Sequence, residues 1–213
     1  MTAFRAVAWD LDGTLIDSEG LHLRALIESS AAFGVDLSGL PDEIYRGVNI
    51  LDVWDGLKPL FRNGTERTAW LDAIERHYAK RSAGLAAIPG AVETVRNLAS
   101  RGVAQACVSN SGRAIVDANL EALGIRDTLA FSISLDDVSV GKPDPEPFRE
   151  AVRRFALPAE MVVAVEDSAT GARSAREAGL YVVGYIPDGG AVLECDRSIA
   201  ALSAIASLFE TQA

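Results

Sequence analysis

Two carboxylates two positions apart stand in the run Asp10-Leu11-Asp12-Gly13-Thr14, directly after a short apolar stretch. If the chain leaves a strand there, both acids can face one site, although Asp-Gly is also a common turn dipeptide. A second run, Val108-Ser109-Asn110-Ser111-Gly112, places hydroxyls ahead of a helical pattern. Free N–H groups at a helix start suit an anion, and equally a plain N-cap. In Gly141-Lys142-Pro143-Asp144-Pro145-Glu146-Pro147, prolines alternate with acids and hold an extended arm. Pro143 keeps Lys142 out of the helical region, so the lysine has a fixed place unless it is simply solvated. The fourth run, Val165-Glu166-Asp167-Ser168, sets two adjacent acids after apolar residues. Those acids repel each other; a bound cation or solvation at a helix cap relieves the cost. Taken together the four runs supply what phosphoryl transfer to a carboxylate needs. An aspartate can accept the group as an acyl phosphate, splitting one hard step into two. Magnesium suits such a site because it binds few protein carboxylates and keeps waters.

Short apolar runs at Ala6 to Trp9, Gln105 to Val108, Met161 to Val165 and Tyr181 to Ile186 have the length and residue types of buried strands. A weaker one lies at Leu129 to Ser134. Between them the periodicity predicts helices over 91–100, 114–123, 146–155 and 168–178, with Ser168 as N-cap and Gly124 and Gly179 as stops. A closing surface helix is expected from Ile199 to Phe209. Alternation of this kind predicts an α/β chain with a parallel sheet covered on both faces. Each of the four runs then falls at the carboxyl end of a strand or on the loop beyond it, where open α/β sheets build their sites.

The connection from Trp9 to Gln105 is far longer than the roughly two to six residues of an ordinary strand–helix loop. Its periodic apolar positions, among them Leu21, Leu26, Val53, Trp54, Trp70, Ile74 and Tyr78, predict a small helical insertion with Trp54 and Trp70 in its core. The insertion is placed at residues 17–85, with hinges near 18–20 and 84–90, and the core at residues 1–16 and 86–213.

The chain has 213 residues, 20 Lys and Arg against 30 Asp and Glu, and a formal charge of −10. That balance argues against nucleic acid or an anionic membrane as the partner, since both need a basic face. It also leaves any anionic substrate dependent on local cations. The apolar share of 49% rules out global disorder, and no apolar stretch reaches the length of a membrane span. With only Cys107 and Cys195 and no signal-peptide pattern, a reduced cytoplasmic protein is expected, with Cys107 buried in a strand. The oligomeric state is not encoded in any feature of the sequence, and a monomer is compatible with all of them.

The order and wording of the four runs resemble the haloacid dehalogenase superfamily of phosphotransferases: Asp10-Leu11-Asp12-Gly13-Thr14-Leu15, then Ser109, then Lys142 in Gly-Lys-Pro-Asp-Pro-Glu, then Glu166-Asp167-Ser168. Pro89-Gly90 and Gly171-Ala172 through Glu177-Ala178-Gly179 fit as well, so the resemblance covers essentially the whole chain. It implies a Rossmann-like three-layer core with a C1-type helical cap inserted after the first strand, nearest the branch of β-phosphoglucomutase and sugar-phosphate phosphatases.

The resemblance further implies a Mg²⁺-dependent phosphatase acting on small phosphorylated metabolites, sugar or polyol phosphates foremost. Asp10 would be nucleophile and metal ligand, and Asp12 the acid/base with its backbone carbonyl on the metal. Ser109 and Asn110 would hold phosphoryl oxygens, Lys142 would offset charge, and Asp167 with Glu166 would complete the metal site. True dehalogenases lack the second Asp of the pair, so Asp12 points to phosphate chemistry. In the cap, Tyr45-Arg46-Gly47-Val48-Asn49 is similar to a substrate-contacting stretch, making Arg46 the candidate for a distal anionic or hydroxyl-rich group. The mutase branch carries a further basic residue where this chain has Ile50, which favours hydrolysis over mutase activity. His22 matches a hinge-side histidine of those mutases, while a structural role near a helix start is the plainer reading. A sugar-phosphate mutase and a catalytically idle phosphometabolite-binding module remain the alternatives.

Overall fold

The computed structural model describes residues 4–39, 41, 50–187, 189 and 193–209. Six parallel strands form one sheet: β1 (Ala6–Trp9), β2 (Ala104–Val108), β3 (Phe131–Ile133), β4 (Val162–Glu166), β5 (Tyr181–Tyr185) and β6 (Arg197–Ile199). Their order is β3-β2-β1-β4-β5-β6. The chain runs outward from β1 through β2 to β3 and then crosses back to β4. A crevice therefore opens at the carboxyl ends beside β1, where Trp9 pairs with Cys107 on one side and Val165 on the other.

Alternate residues of these strands feed two cores. Val7, Trp9, Cys107, Val163, Val165 and Val183 pack against α4 (Ala91–Ser100) and α5 (Arg113–Leu123). Ala6, Ala8, Val108, Val162, Ala164 and Val182 pack against α6 (Glu146–Phe155) and α7 (Ala169–Glu177). With both faces covered the strands read as continuous apolar runs rather than alternating ones, which is why they stand out in the sequence. Gln105 is built into the first of these cores with both ends of its amide paired: it accepts from the Trp9 indole at 2.9 Å and donates to Val95 O at 2.9 Å.

Between β1 and β2 lie α1 (Glu19–Ala32), α2 (Ile50–Leu57) and α3 (Arg67–Ala79), which share a separate core of Leu21, Leu26, Val53, Trp54, Phe61, Trp70, Ile74 and Tyr78. Trp54 stacks on Phe61 with ring centres 5.0 Å apart, and the Trp70 indole donates to Ser30 at 3.1 Å. Ile115 of α5 enters this core, docking the insertion onto the sheet's own layer. The two connecting segments are paired rather than loose: Asp17 N–H donates to Ala86 O at 2.9 Å and Ile88 N–H to Leu15 O at 3.0 Å. Gly20 lies in the first turn of α1.

The expected closing helix from Ile199 is corrected. Ile199 ends β6, a short edge strand, and a 3-10 helix follows at Leu202–Phe209. Two of the three β6 residues are exposed, so no buried run betrayed the strand. The 3-10 helix buries Leu202 and Ile205, and Arg101 ties it down through Ala206 O and Phe209 O at 3.2 and 2.8 Å. Among the described residues no helix is long and apolar enough to cross a membrane.

Candidate active site

Asp10 follows β1 directly, its N–H still bonded to Val165 O at 2.9 Å, so its side chain emerges in the crevice between β1 and β4. Lys142 reaches it from the loop before α6. The Lys142 ammonium spends all three N–H bonds there: on Asp10 Oδ1 at 2.7 Å, Glu166 Oε1 at 2.6 Å and Val108 O at 2.8 Å. Asp10 is 7% exposed, Lys142 3% and Glu166 0%, so this is a buried ion cluster.

Local sequence explains how the lysine is held. The Lys142–Pro143 peptide is cis. Asn110 clamps the Lys142 backbone from both sides, accepting its N–H at 2.7 Å and donating to its carbonyl at 3.0 Å. Gly141 is required by close approach, because a Cβ there would lie 2.7 Å from Asn110 Oδ1 and 2.5 Å from Leu135. Asn110, expected on substrate, thus has its side chain committed to positioning Lys142.

Asp167 stands one residue beyond Glu166, accepting from Thr14 Oγ1 at 3.2 Å. Gly13 has φ of 86° and a Cβ on it would run into the Asp167 carboxylate, so the turn after Asp12 calls for glycine. Carboxylate oxygens of Asp10, Glu166 and Asp167 lie within 4.8 Å of one another. Three acids facing one lysine are under-compensated. Burial first, then the Asp10 charge, pushes Glu166 up to about 8 and Asp167 up to about 7. Burial likewise raises Asp10 despite Lys142 beside it. Burial opposes the charge of Lys142, but Asp10 and Glu166 outweigh it and hold its pKa above the usual lysine value. A hard divalent cation fits this oxygen set and its excess negative charge. Both Glu166 oxygens are already engaged, by Lys142 and by the Ser168 hydroxyl at 3.1 Å, so Asp10 and Asp167 are the side chains left to face an ion.

Asp12 points toward the insertion. Its Oδ1 accepts from Ser18 at 2.7 Å and Asn119 at 3.1 Å and meets His22 Nε2 at 3.0 Å. Its Oδ2 accepts from Ser109 at 3.2 Å and Ser111 at 2.8 Å. Burial works to raise its pKa, but His22, Ser18 and Ser111 prevail and hold it well below the usual carboxylate range. Ser109 is 2% exposed and also receives the Ser111 N–H at 3.0 Å.

Sequence reasoning missed Ser18, Ser111 and Asn119 as partners of Asp12 and took His22 as structural. Ser18 occupies the N-cap position of α1, yet its hydroxyl caps nothing and donates to Asp12 instead. Asn119 fills an apolar-face position of α5 between Ile115 and Leu123, a polar residue in a hydrophobic stripe, which was the available signal. Arg46, with Tyr45 to Asn49, lies outside the described residues. Cys107 is buried as expected, and burial raises its thiol pKa.

These groups open into a cavity of about 580 Å³. Its described wall takes Asp10, Asp12, Lys142 and Asp167 from the sheet layer, and Leu26, Ile50, Val53, Leu71 and Ile74 with Glu19, Asp52 and Glu75 from the insertion. Among the described residues Lys142 is the only lysine or arginine on its wall.

Residues 4–179 match the haloacid dehalogenase-like hydrolase family. The phosphoglycolate phosphatase of Cupriavidus necator is 32% identical over 220 residues, covering 95% of this chain and 92% of that protein. The chloroplastic protein suppressor of quenching 1 of Arabidopsis thaliana is 29% identical over 184 residues, but the chain spans only 17% of its length. Among solved structures, CbbY from Rhodobacter sphaeroides in complex with phosphate superposes with a TM-score of 0.81 at 25% identity, covering 95% of this chain and 96% of that one.

Proposed function

The chain belongs to the haloacid dehalogenase-like hydrolase family, and we propose that it is a Mg²⁺-dependent phosphatase that hydrolyses sugar or polyol monophosphates through an aspartyl phosphate on Asp10. The observation that carries this reading is the ion cluster at the crevice: Asp10 held 2.7 Å from Lys142 Nζ, carboxylates of three acids within 4.8 Å, and Asp12 two residues on in the same cavity.

Asp10 and Asp167 would hold the magnesium, whose charge draws phosphate and carboxylate together and stabilises charge on the transferring phosphoryl group. Lys142 favours the ionised form of Asp10 against burial and orients it. Asp12, ionised in the bare site, takes up a proton as substrate binds and the Ser109 and Ser111 hydroxyls turn to the phosphate; Asp10 attacks phosphorus, and the ester bond breaks as Asp12 gives that proton to the departing oxygen. Asp12 then takes a proton from water as that water attacks the phosphoryl group, releasing phosphate and restoring Asp10. Ser109 and the loop after β2 seat the phosphoryl oxygens. The insertion, taken as residues 17–85, acts as a cap that limits water and shapes the leaving-group end, with Arg46 contributing to a hydroxyl-rich substrate.

Relatives named for phosphoglycolate support phosphatase chemistry. The insertion's share of the described wall, with apolar side chains and three carboxylates, suits neutral hydroxyls better than a second anion. Ile50 on that wall supports hydrolysis over a mutase, which must grip a second phosphate. The test is phosphate release from a panel of sugar, polyol and carboxylic-acid phosphates. Wild type with Mg²⁺ should turn over members of the first two groups, and chelation or Asp10→Asn should abolish turnover while the fold is retained. Binding without release across the panel would leave an idle binding module; isomerisation of a hexose 1-phosphate without free phosphate would make it a mutase.

A further inference from the structure

Five donors surround the Asp12 carboxylate, and they are not alike. The two on Oδ2 are hydroxyls of Ser109 and Ser111, on the loop expected to seat phosphate. A hydroxyl hydrogen turns freely, so an arriving phosphate can take both from Asp12 without moving any heavy atom. On Oδ1, Ser18 and His22 belong to the start of the insertion, while Asn119 comes from α5 of the core.

Asn119 differs from the other four because both ends of its amide are taken. It is 0% exposed; its Nδ2 donates to Asp12 Oδ1 at 3.1 Å and its Oδ1 accepts from the Tyr78 hydroxyl at 2.9 Å. Tyr78 is itself 0% exposed, on α3, with its ring 4.5 Å from that of His22. A carboxylate only accepts, so the NH₂ end must face Asp12; the carbonyl end then faces Tyr78, which has to donate. A buried amide in an apolar helix face is costly unless both ends are paired, and here each partner fixes the other.

We propose that Asn119, oriented by Tyr78, is a positioning residue that pins Oδ1 of Asp12, so that Oδ2 is the oxygen which carries the proton to the leaving group and takes it from water. Phosphate binding recruits the Ser109 and Ser111 hydroxyls and frees Oδ2, while Oδ1 stays anchored. The pin crosses from α5 to α3, so it registers the insertion against the acid/base. This inference rests on the phosphatase reading above, in which Asp12 is the acid/base.

Leaving groups separate the two. A nitrophenolate departs as a stable anion, whereas an alkoxide must receive a proton, so losing the aim of Asp12 weighs on alkyl esters. The experiment compares kcat/KM for p-nitrophenyl phosphate and glycerol 3-phosphate in wild type, Asn119→Ala, Tyr78→Phe and Asp12→Asn, with thermal melts for each. We expect the aryl-to-alkyl ratio of kcat/KM to rise about tenfold in Asn119→Ala and less in Tyr78→Phe, within the roughly 10²- to 10⁴-fold worth of general acid catalysis. A merely structural role lowers both substrates alike. If Asn119→Ala fails to fold, Tyr78→Phe, which lacks only a hydroxyl, decides between the two roles. An unchanged ratio in both variants beside a raised ratio in Asp12→Asn overturns the pin alone. An unchanged ratio in Asp12→Asn overturns the acid assignment beneath it, and the pin with it.

Discussion

Lys142 is held wholly by the protein. Each of its N–H bonds is taken by the protein, two of them by buried carboxylates. Lys142→Met should therefore leave Asp10 uncompensated and strip Glu166 of its hydrogen-bond partner, costing about 3–5 kcal/mol of stability in the metal-free protein. A denaturant midpoint reads this, and phosphate release should fall by roughly 10²-fold or more. A second expectation concerns protons. Glu166 at about 8 and Asp167 at about 7 sit above their usual 4.5 and 3.8, so the folded metal-free chain binds more protons than the unfolded one across that window. The stability this contributes is full below about pH 4 and is lost as pH rises toward about 8. Mg²⁺ favours the ionised forms and should raise the melting temperature more at about pH 8 than at about pH 5; equal increments would count against the metal site. The acids and the lysine were legible in the sequence because each breaks a buried strand or a proline-stiffened arm. Ser18 and Asn119 were not, because one sits at the start of a helix, where an N-cap is the plain reading, and the other on a helix face, where periodicity describes packing and says nothing of a partner over a hundred residues away.

Turns and loops do the aiming. The turn after Asp12 needs Gly13 both for its φ of 86° and for the approach of Asp167. Gly13→Ala should cost about 1–2 kcal/mol in backbone strain and displace Asp167. The Mg²⁺ concentration needed for half-maximal phosphate release should rise at least about tenfold, a change of about 1.4 kcal/mol in binding; an unaltered requirement would contradict the placement of Asp167 at the ion. Asn110 ties the loop of Lys142 to the end of β2 through two hydrogen bonds. Removing the side chain in Asn110→Ala should cost about 1–3 kcal/mol and lower kcat more than it raises KM, because the loop loses its register while the seat for phosphate remains. At this scale the sequence was most readable where burial is complete. The four long strands announce themselves as apolar runs. β6 did not, because a three-residue edge strand with one buried side chain carries no such pattern and its last residue continues into an apolar 3-10 segment.

The molecule brings its chemistry and its selectivity from different layers. The crevice beside β1 supplies the charged cluster, while α1, α2 and α3 line much of the rest of the cavity's described wall. That wall could not be read from sequence, since which faces of separate helices share a cavity depends on how they dock, here through Ile115 of α5 and the bond from Tyr78 of α3 to Asn119. Its apolar and acidic lining predicts a ranking: kcat/KM for a sugar or polyol monophosphate should exceed that for phosphoglycolate by about tenfold, since the extra carboxylate would meet like charge there. A preference for phosphoglycolate would place a cation on that wall which the described residues lack. The central claim is covalent, and single-turnover acid quench tests it most directly. Excess enzyme with Mg²⁺ is mixed with a turned-over sugar phosphate, quenched at intervals, digested and weighed by mass spectrometry. One phosphoryl group is expected on the peptide containing Asp10, rising and then decaying as free phosphate appears, and absent from Asp10→Asn. Phosphate release with that peptide unmodified at every time point, or the adduct on another residue, would contradict it.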